Sequence, residues 1–164
     1  MAVLRWIQDL PVSAAIAASD SLWWGYAWWL FLHAVGMGLT AGIGFVVCLR
    51  LLGVGIQIPI SSFRILFRLF WIGFYVNLVS GTILFMTDAT GIARVWELYA
   101  KLACLGLALV MMTRLRRFID SDRSDGLVPP SVRKVALLCI VLWLGVITAG
   151  RLIAYAVEAN SAIV

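Results

Sequence analysis

The only histidine of the chain, His33, lies inside a long apolar stretch. That stretch runs from Leu22 to Gly53 and reads LWWGYAWWLFLHAVGMGLTAGIGFVVCLRLLG. About 20 consecutive apolar residues span the hydrocarbon core of a bilayer, and ionisable side chains inside such a segment are costly and mark candidate functional sites. Imidazole within a membrane bundle commonly ligates haem iron. We therefore predict that His33 is the axial ligand of a haem b.

Two cations and several small or polar residues are expected beside this imidazole. Lys101 and Arg151 lie at a similar depth in two later apolar segments, where they would suit haem propionates or an anionic, quinone-like ligand. Gly36 and Met37 share the helix face of His33, and the glycine would leave space for a porphyrin edge. The predicted cofactor-binding residues are His33, Lys101, Arg151, Met37, Gly36 and, on the polar face of the second segment, Asn77.

A single histidine excludes bis-histidine ligation within one protomer. The second axial position would then be open, filled by Met37, Met86 or Lys101, or supplied by a second protomer. A homo-oligomer or a larger membrane complex is therefore among the expected assemblies.

Ordinary structural roles are the alternatives for the same side chains. His33 could simply form a hydrogen bond with a neighbouring helix. Glu97 precedes Lys101 by four residues, so an intrahelical ion pair could satisfy the lysine. Arg151 could extend to the lipid headgroups or pair with Glu158.

The composition is that of one small integral membrane domain. Of 164 residues, 63% are hydrophobic and 13% are charged, and the mean hydropathy is +1.03, which leaves no room for a separate soluble domain. The net charge of +5 comes from basic residues that flank apolar segments, so it indicates membrane topology and not nucleic-acid binding. Cys48, Cys104 and Cys139 are widely separated, without a CxxC motif, and are predicted to be small buried hydrophobes.

The apolar pattern predicts an all-α fold, an integral membrane antiparallel four-helix bundle with a short interfacial N-terminal segment. The N-terminal segment covers residues 1–21, the transmembrane domain 22–157 and a C-terminal tail 158–164. The four spans are expected at about 22–52, 63–87, 95–118 and 132–157, with DATGIA as a tight turn between the second and third.

Basic residues predict the orientation of the bundle. Nine lie in or beside the first–second and third–fourth connections, namely Arg50, Arg64, Arg68, Arg114, Arg116, Arg117, Arg123, Arg133 and Lys134. Four lie toward the other side, namely Arg5, Arg94, Lys101 and Arg151. The positive-inside rule places the nine in the cytoplasm, so both termini are expected in the periplasm of a bacterial inner membrane.

Four motifs resemble an uncharacterised family of four-span bacterial membrane proteins. They are FLHAVGMGLTAGIGFVVCLRLLG, WIGFYVNLVSGTILF, WELYAKLACLGLAL and WLGVITAGRLIAY, and the resemblance extends over nearly all of residues 22–157. The chain departs from that pattern at Cys48, where the family usually has Asp. More distantly, His33 and Lys101 resemble residues of the HemJ-type protoporphyrinogen oxidases and of copper-resistance D membrane domains. The HemJ resemblance implies that both residues take part in haem binding and activity.

The leading functional expectation is an inner-membrane b-type haem protein in a redox or electron-transfer role. Its expected partners are the lipid bilayer and a quinone or a periplasmic redox protein. One alternative is a non-catalytic membrane anchor or accessory subunit of a larger complex. A second is a transporter or copper-handling membrane protein.

Overall fold

The computed structural model describes residues 2–19, 21–121 and 128–161. Within these ranges the chain forms seven α-helices, one 3₁₀ helix and no strand. The helices are α1 (Ala2–Gln8), α2 (Pro11–Ala18), α3 (Tyr26–Leu52), α4 (Leu66–Thr87), α5 (Ala89–Ile92), α6 (Trp96–Ser121) and α7 (Pro130–Ser161), and the 3₁₀ helix (Ile60–Arg64) precedes α4. The predicted all-α fold is confirmed.

Four of these helices are long and apolar enough to cross a membrane. They are α3, α4 with its preceding 3₁₀ helix, α6 and α7. The shortest of the four, α4, has 22 residues, or about 33 Å at 1.5 Å per residue, close to the thickness of the hydrocarbon core. This is the architecture of a multi-pass membrane protein, and its four long helices begin and end within four residues of the predicted spans.

The long helices pack in the spatial order α4, α3, α7, α6, with α3 lying along both α4 and α7. Small residues allow the closest approaches. A Cβ atom built on Gly36 of α3 would lie 2.6 Å from the backbone nitrogen of Asn77 and 2.9 Å from the carbonyl oxygen of Gly73, both in α4. Gly44 makes the equivalent room for the indole of Trp143 in α7. These glycines therefore mark the α3–α4 and α3–α7 crossings.

The bundle has two chemically different ends. The end where α3 and α6 finish and α4 and α7 begin carries eight of the nine basic residues counted above, and the ninth, Arg123, lies outside the described residues. We call it the basic end. The opposite end holds the starts of α3 and α6, and we call it the histidine end because His33 lies near it.

A buried arginine organises the connection at the basic end. Arg50, 7% exposed, donates from Nε to the carbonyl of Ile58 at 2.8 Å and from Nη2 to that of Ile56 at 3.3 Å. Gly53 ends α3 with a φ of 110°, a left-handed conformation that favours glycine. Arg50 is therefore more than one of the basic residues that indicate topology, because its guanidinium also fixes the loop after α3.

The N-terminal segment forms two short helices that pack on the histidine end, against α3, α4 and α5. Ser13 and Ile16 are buried there, and the Gln8 side chain accepts a hydrogen bond from the Thr90 hydroxyl at 2.8 Å. The predicted tight turn DATGIA is wrong in detail, because it contains the one-turn helix α5. Asp88 caps that helix by accepting a hydrogen bond from the Gly91 N–H at 3.1 Å.

Candidate functional site

Side chains from three long helices meet at the histidine end. His33 of α3 places Nδ1 3.1 Å from the backbone carbonyl oxygen of Asn77 and 3.3 Å from the Ser80 hydroxyl, both in α4. Its other ring nitrogen, Nε2, lies 3.4 Å from Nζ of Lys101 in α6. The structure therefore brings together three of the predicted site residues, His33, Asn77 and Lys101.

The partners of the imidazole define which nitrogen carries the proton. A backbone carbonyl only accepts hydrogen bonds, so Nδ1 of His33 is the donor toward Asn77. The Ser80 hydroxyl donates to the carbonyl of Val76 at 2.6 Å and is thus free to accept from the same Nδ1–H. Nε2 then presents its lone pair to the Lys101 ammonium, which donates to it.

The α3–α4 crossing holds the ring in this orientation. The Asn77 amide donates to the carbonyl of His33 at 2.9 Å, so the two residues exchange hydrogen bonds across the crossing. Gly81 lies against the ring, and a Cβ built on it would be 2.8 Å from Cε1 of His33. A larger residue at position 81 would therefore push the imidazole out of this position.

Lys101 is half-buried and forms no ion pair among the described residues. The alternative of an intrahelical pair with Glu97 is not realised, because the Glu97 carboxylate does not come within ion-pair distance of the amine. Its Oε2 atom is instead buried without a hydrogen-bond partner in the described part of the chain. An ammonium taken partly out of water without a counter-ion favours binding of an anionic group.

The other predicted site residues lie elsewhere. Arg151 is exposed, and its guanidinium stacks 5.5 Å over the ring of Tyr155 on its own helix, so the structure does not bring it to His33. Met37 is half-buried and packs against the apolar core. The space beside Gly36 is filled by the α4 backbone, so this glycine makes room for a helix where space for a porphyrin edge was expected.

The polar cluster is confined to the histidine end. The buried polar side chains of the described residues are Ser13, Thr40, Arg50 and Ser80. Thr40 lies two helical turns after His33 in α3, and its hydroxyl donates a hydrogen bond to the carbonyl of Gly36 at 2.7 Å. Between this cluster and Arg50 at the basic end, the fully buried side chains include Trp143, Phe70, Met112, Leu115, Cys48 and Cys139. A ligand or proton would therefore reach His33 from the histidine end.

The donor atoms of the cluster match part of what a haem site requires. Ligating imidazoles usually donate their second N–H to a carbonyl or carboxylate, as Nδ1 of His33 does. The ammonium of Lys101 lies at the nitrogen that would bind iron, so ligation would require the flexible lysine side chain to turn aside. His33 would therefore hold haem iron only with Lys101 displaced from Nε2. Among the described residues, no group of three or more His, Cys, Asp or Glu side chains could hold a metal ion.

Sequence reasoning missed three contributors to the cluster. Ser80 and Gly81 of α4 both lie beside His33, and neither is among the predicted site residues. Gly150 of α7 was also overlooked, although a Cβ built on it would lie 3.4 Å from Nζ of Lys101. The three- and four-residue spacing of Asn77, Ser80 and Gly81 was the available signal, because it places all three on one helix face.

Comparison with models of known families, with curated proteins and with solved structures gave no match to this chain. The resemblances drawn from its motifs therefore stay predictions.

Proposed function

We propose that this protein is a b-type haem protein with a redox or electron-transfer role in the bacterial inner membrane. One observation carries the proposal: the Nδ1–H of the only imidazole is tied to a backbone carbonyl, which directs the lone pair of Nε2 toward another helix. Haem iron supplies one-electron chemistry when bound.

Each residue of the cluster has a distinct role in this proposal. His33 would hold the haem iron, and Asn77 and Ser80 fix the orientation of its ring. Lys101, which lies at Nε2 of His33 without the cofactor, would supply a positive charge for a propionate or an anionic quinone. Met37 and Arg151 have no part in the proposed site, because the first packs in the core and the second lies on the exposed surface.

The orientation belongs to the same proposal. The basic asymmetry puts both termini and the histidine end in the periplasm, where a periplasmic protein or a membrane quinone could exchange electrons with the site. Protease should remove a tag at either terminus from the periplasmic side of intact spheroplasts. Protection of both tags would show the opposite orientation, with the cluster at the cytoplasmic face.

The absorption spectrum of the purified protein tests haem binding directly. Protein prepared in mild detergent from haem-replete cells should show a Soret band. His33→Ala should abolish or strongly shift that band while size-exclusion chromatography shows the same monodisperse protein. Arg151→Gln, the matched control at the same end of the bundle, should leave the spectrum unchanged. A colourless wild-type protein would refute the proposal.

A second candidate is an accessory membrane subunit in which the cluster only joins helices. The observation that favours it is that both ring nitrogens of His33 already have partners within the chain. In that case His33→Ala would cost about 0.6 kcal/mol for each interhelical hydrogen bond lost. The protein would then be colourless and would co-purify with a larger complex.

A further inference from the structure

A groove of about 780 Å³ opens at the basic end of the bundle, between the beginning of α4 and the end of α6. Its lining includes three arginines, Arg64, Arg68 and Arg116, against one acidic residue, Asp120. Its size lies in the range of small-molecule sites. The groove therefore combines a surplus of positive charge with enough room for a ligand.

Asp120 positions two of the arginines. Its carboxylate lies 3.7 Å from Nε of Arg64 and 3.5 Å from Nε of Arg116. Arg64 also donates from Nη2 to the backbone carbonyls of Ile119 and Asp120, each at 3.2 Å. Exposed ion pairs of this kind add little stability. Here they fix the positions of the Arg64 and Arg116 guanidinium groups. The groove keeps a positive charge, because the single carboxylate of Asp120 cannot neutralise three arginines.

Arg68 is the uncommitted cation of the groove. It is exposed, and its guanidinium has no hydrogen-bonding or ionic partner within the described ranges. It lies one helical turn after Arg64 along the chain and lines the same opening. An anion bound there would therefore meet a guanidinium that is free to form two parallel hydrogen bonds.

One wall of the groove is apolar. Ile65 and Ile72 are exposed, Trp71 is half-buried, and the ring of Phe67 lies 5.9 Å from the guanidinium carbon of Arg116. Apart from Ile65, which immediately precedes the helix, this wall belongs to α4, whose outer surface continues into the membrane-spanning part of the helix. A ligand that suits both the arginines and this apolar wall has an anionic head and a hydrocarbon tail.

We propose that the groove binds an anionic phospholipid. Its phosphodiester lies among Arg64, Arg68 and Arg116, and its acyl chains lie against the apolar wall formed by α4. Basic pockets between transmembrane helices at the membrane surface are sites for anionic headgroups. Arginine also forms bidentate hydrogen bonds to phosphate oxygens, which a lysine cannot do. This proposal is independent of any cofactor at His33.

Native mass spectrometry of the delipidated full-length protein tests the proposal. The protein is titrated with dioleoylphosphatidylglycerol, with dioleoylphosphatidylcholine and, in a third arm, with inorganic phosphate. We expect one tightly retained phosphatidylglycerol and weaker phosphatidylcholine binding. Arg68→Gln should weaken phosphatidylglycerol retention about fivefold, the usual effect of one basic residue near an anionic lipid surface.

Arg117→Gln is the matched control, since it removes an exposed charge from the same end of α6 outside the groove. It should leave phosphatidylglycerol retention unchanged. Equal losses in Arg68→Gln and Arg117→Gln would show general surface attraction and overturn the proposal. Equal retention of the two lipids would also overturn it. So would saturation of the groove by inorganic phosphate at concentrations that abolish lipid binding, because the site would then recognise the free anion.

Discussion

Nε2 of His33 lies 3.4 Å from Nζ of Lys101, although α3 makes its extensive contacts with α4 and α7 and not with α6. The lysine side chain spans this distance by passing α7 at Gly150, where a Cβ would lie 3.4 Å from Nζ and 3.5 Å from Cε. The contact between the imidazole and the ammonium thus depends on a small residue in the helix between them.

Gly150→Leu should separate Lys101 from His33. Alanine at this position would make only an ordinary contact, whereas the longer leucine side chain occupies the path of the lysine. If haem is bound, the expected result is a shifted spectrum with the protein still folded. Gly106→Leu is the control, because Gly106 in α6 faces open space. Identical spectra for wild type and Gly150→Leu would show that the lysine does not influence the site.

The sequence was sufficient to predict the four spans, because length and apolar composition alone define a membrane helix. Their observed ends differ by a few residues, since terminal turns depend on local hydrogen bonds. At the start of α4, for instance, a separate 3₁₀ helix forms after Pro59.

The packing partners could not be predicted in the same way. Gly36, Gly38, Gly42 and Gly44 have similar spacing, yet a Cβ on Gly38 or Gly42 would meet no atom within 4 Å.

The site was predictable only in part, because depth along a helix says nothing about rotation around it. Lys101 and Arg151 have similar depths, but Lys101 faces His33 and Arg151 faces outward over Tyr155. Asn77 was found through its polar helix face. Its partner atom on His33 is a backbone carbonyl, and sequence patterns do not report such contacts.

Gly36→Ala should destabilise the bundle more than Gly42→Ala. The new Cβ at position 36 would lie 2.6 Å from a backbone atom of α4, and backbone cannot move aside as a side chain can. We expect a loss of about 1–3 kcal/mol, as for other overpacked sites. Gly42→Ala should be neutral or slightly stabilising, since alanine favours helix and nothing obstructs it. Denaturation in mixed detergent micelles measures the free energy of unfolding of both variants. Equal losses of stability would contradict the close approach of α3 and α4 at Gly36.

Arg50→Gln should loosen the connection between α3 and α4. The substitution removes the charged group that donates to the carbonyls of Ile56 and Ile58. Hydrogen bonds from charged groups contribute about 1.5–3 kcal/mol each. Hydrogen exchange over residues 53–59 should therefore accelerate, while Arg114→Gln, an exposed charge at the same end, should leave it unchanged. Unchanged protection in Arg50→Gln would show that backbone geometry alone holds the loop.

Lys101→Met distinguishes a functional lysine from a structural one. The half-buried ammonium lacks a counter-ion among the described residues, so its partial desolvation is not offset by an ion pair. Replacing it with an apolar side chain of similar length should raise the free energy of unfolding of the cofactor-free protein by about 1 kcal/mol or more, even though its hydrogen bond to His33 is lost. Arg151→Met, at an exposed position, should change stability by no more than about 0.5 kcal/mol. Increased stability combined with loss of the wild-type spectrum would identify Lys101 as a residue kept for function. Destabilisation by more than about 1 kcal/mol would instead show that the His33–Lys101 contact holds the helices together, and would favour the accessory-subunit candidate.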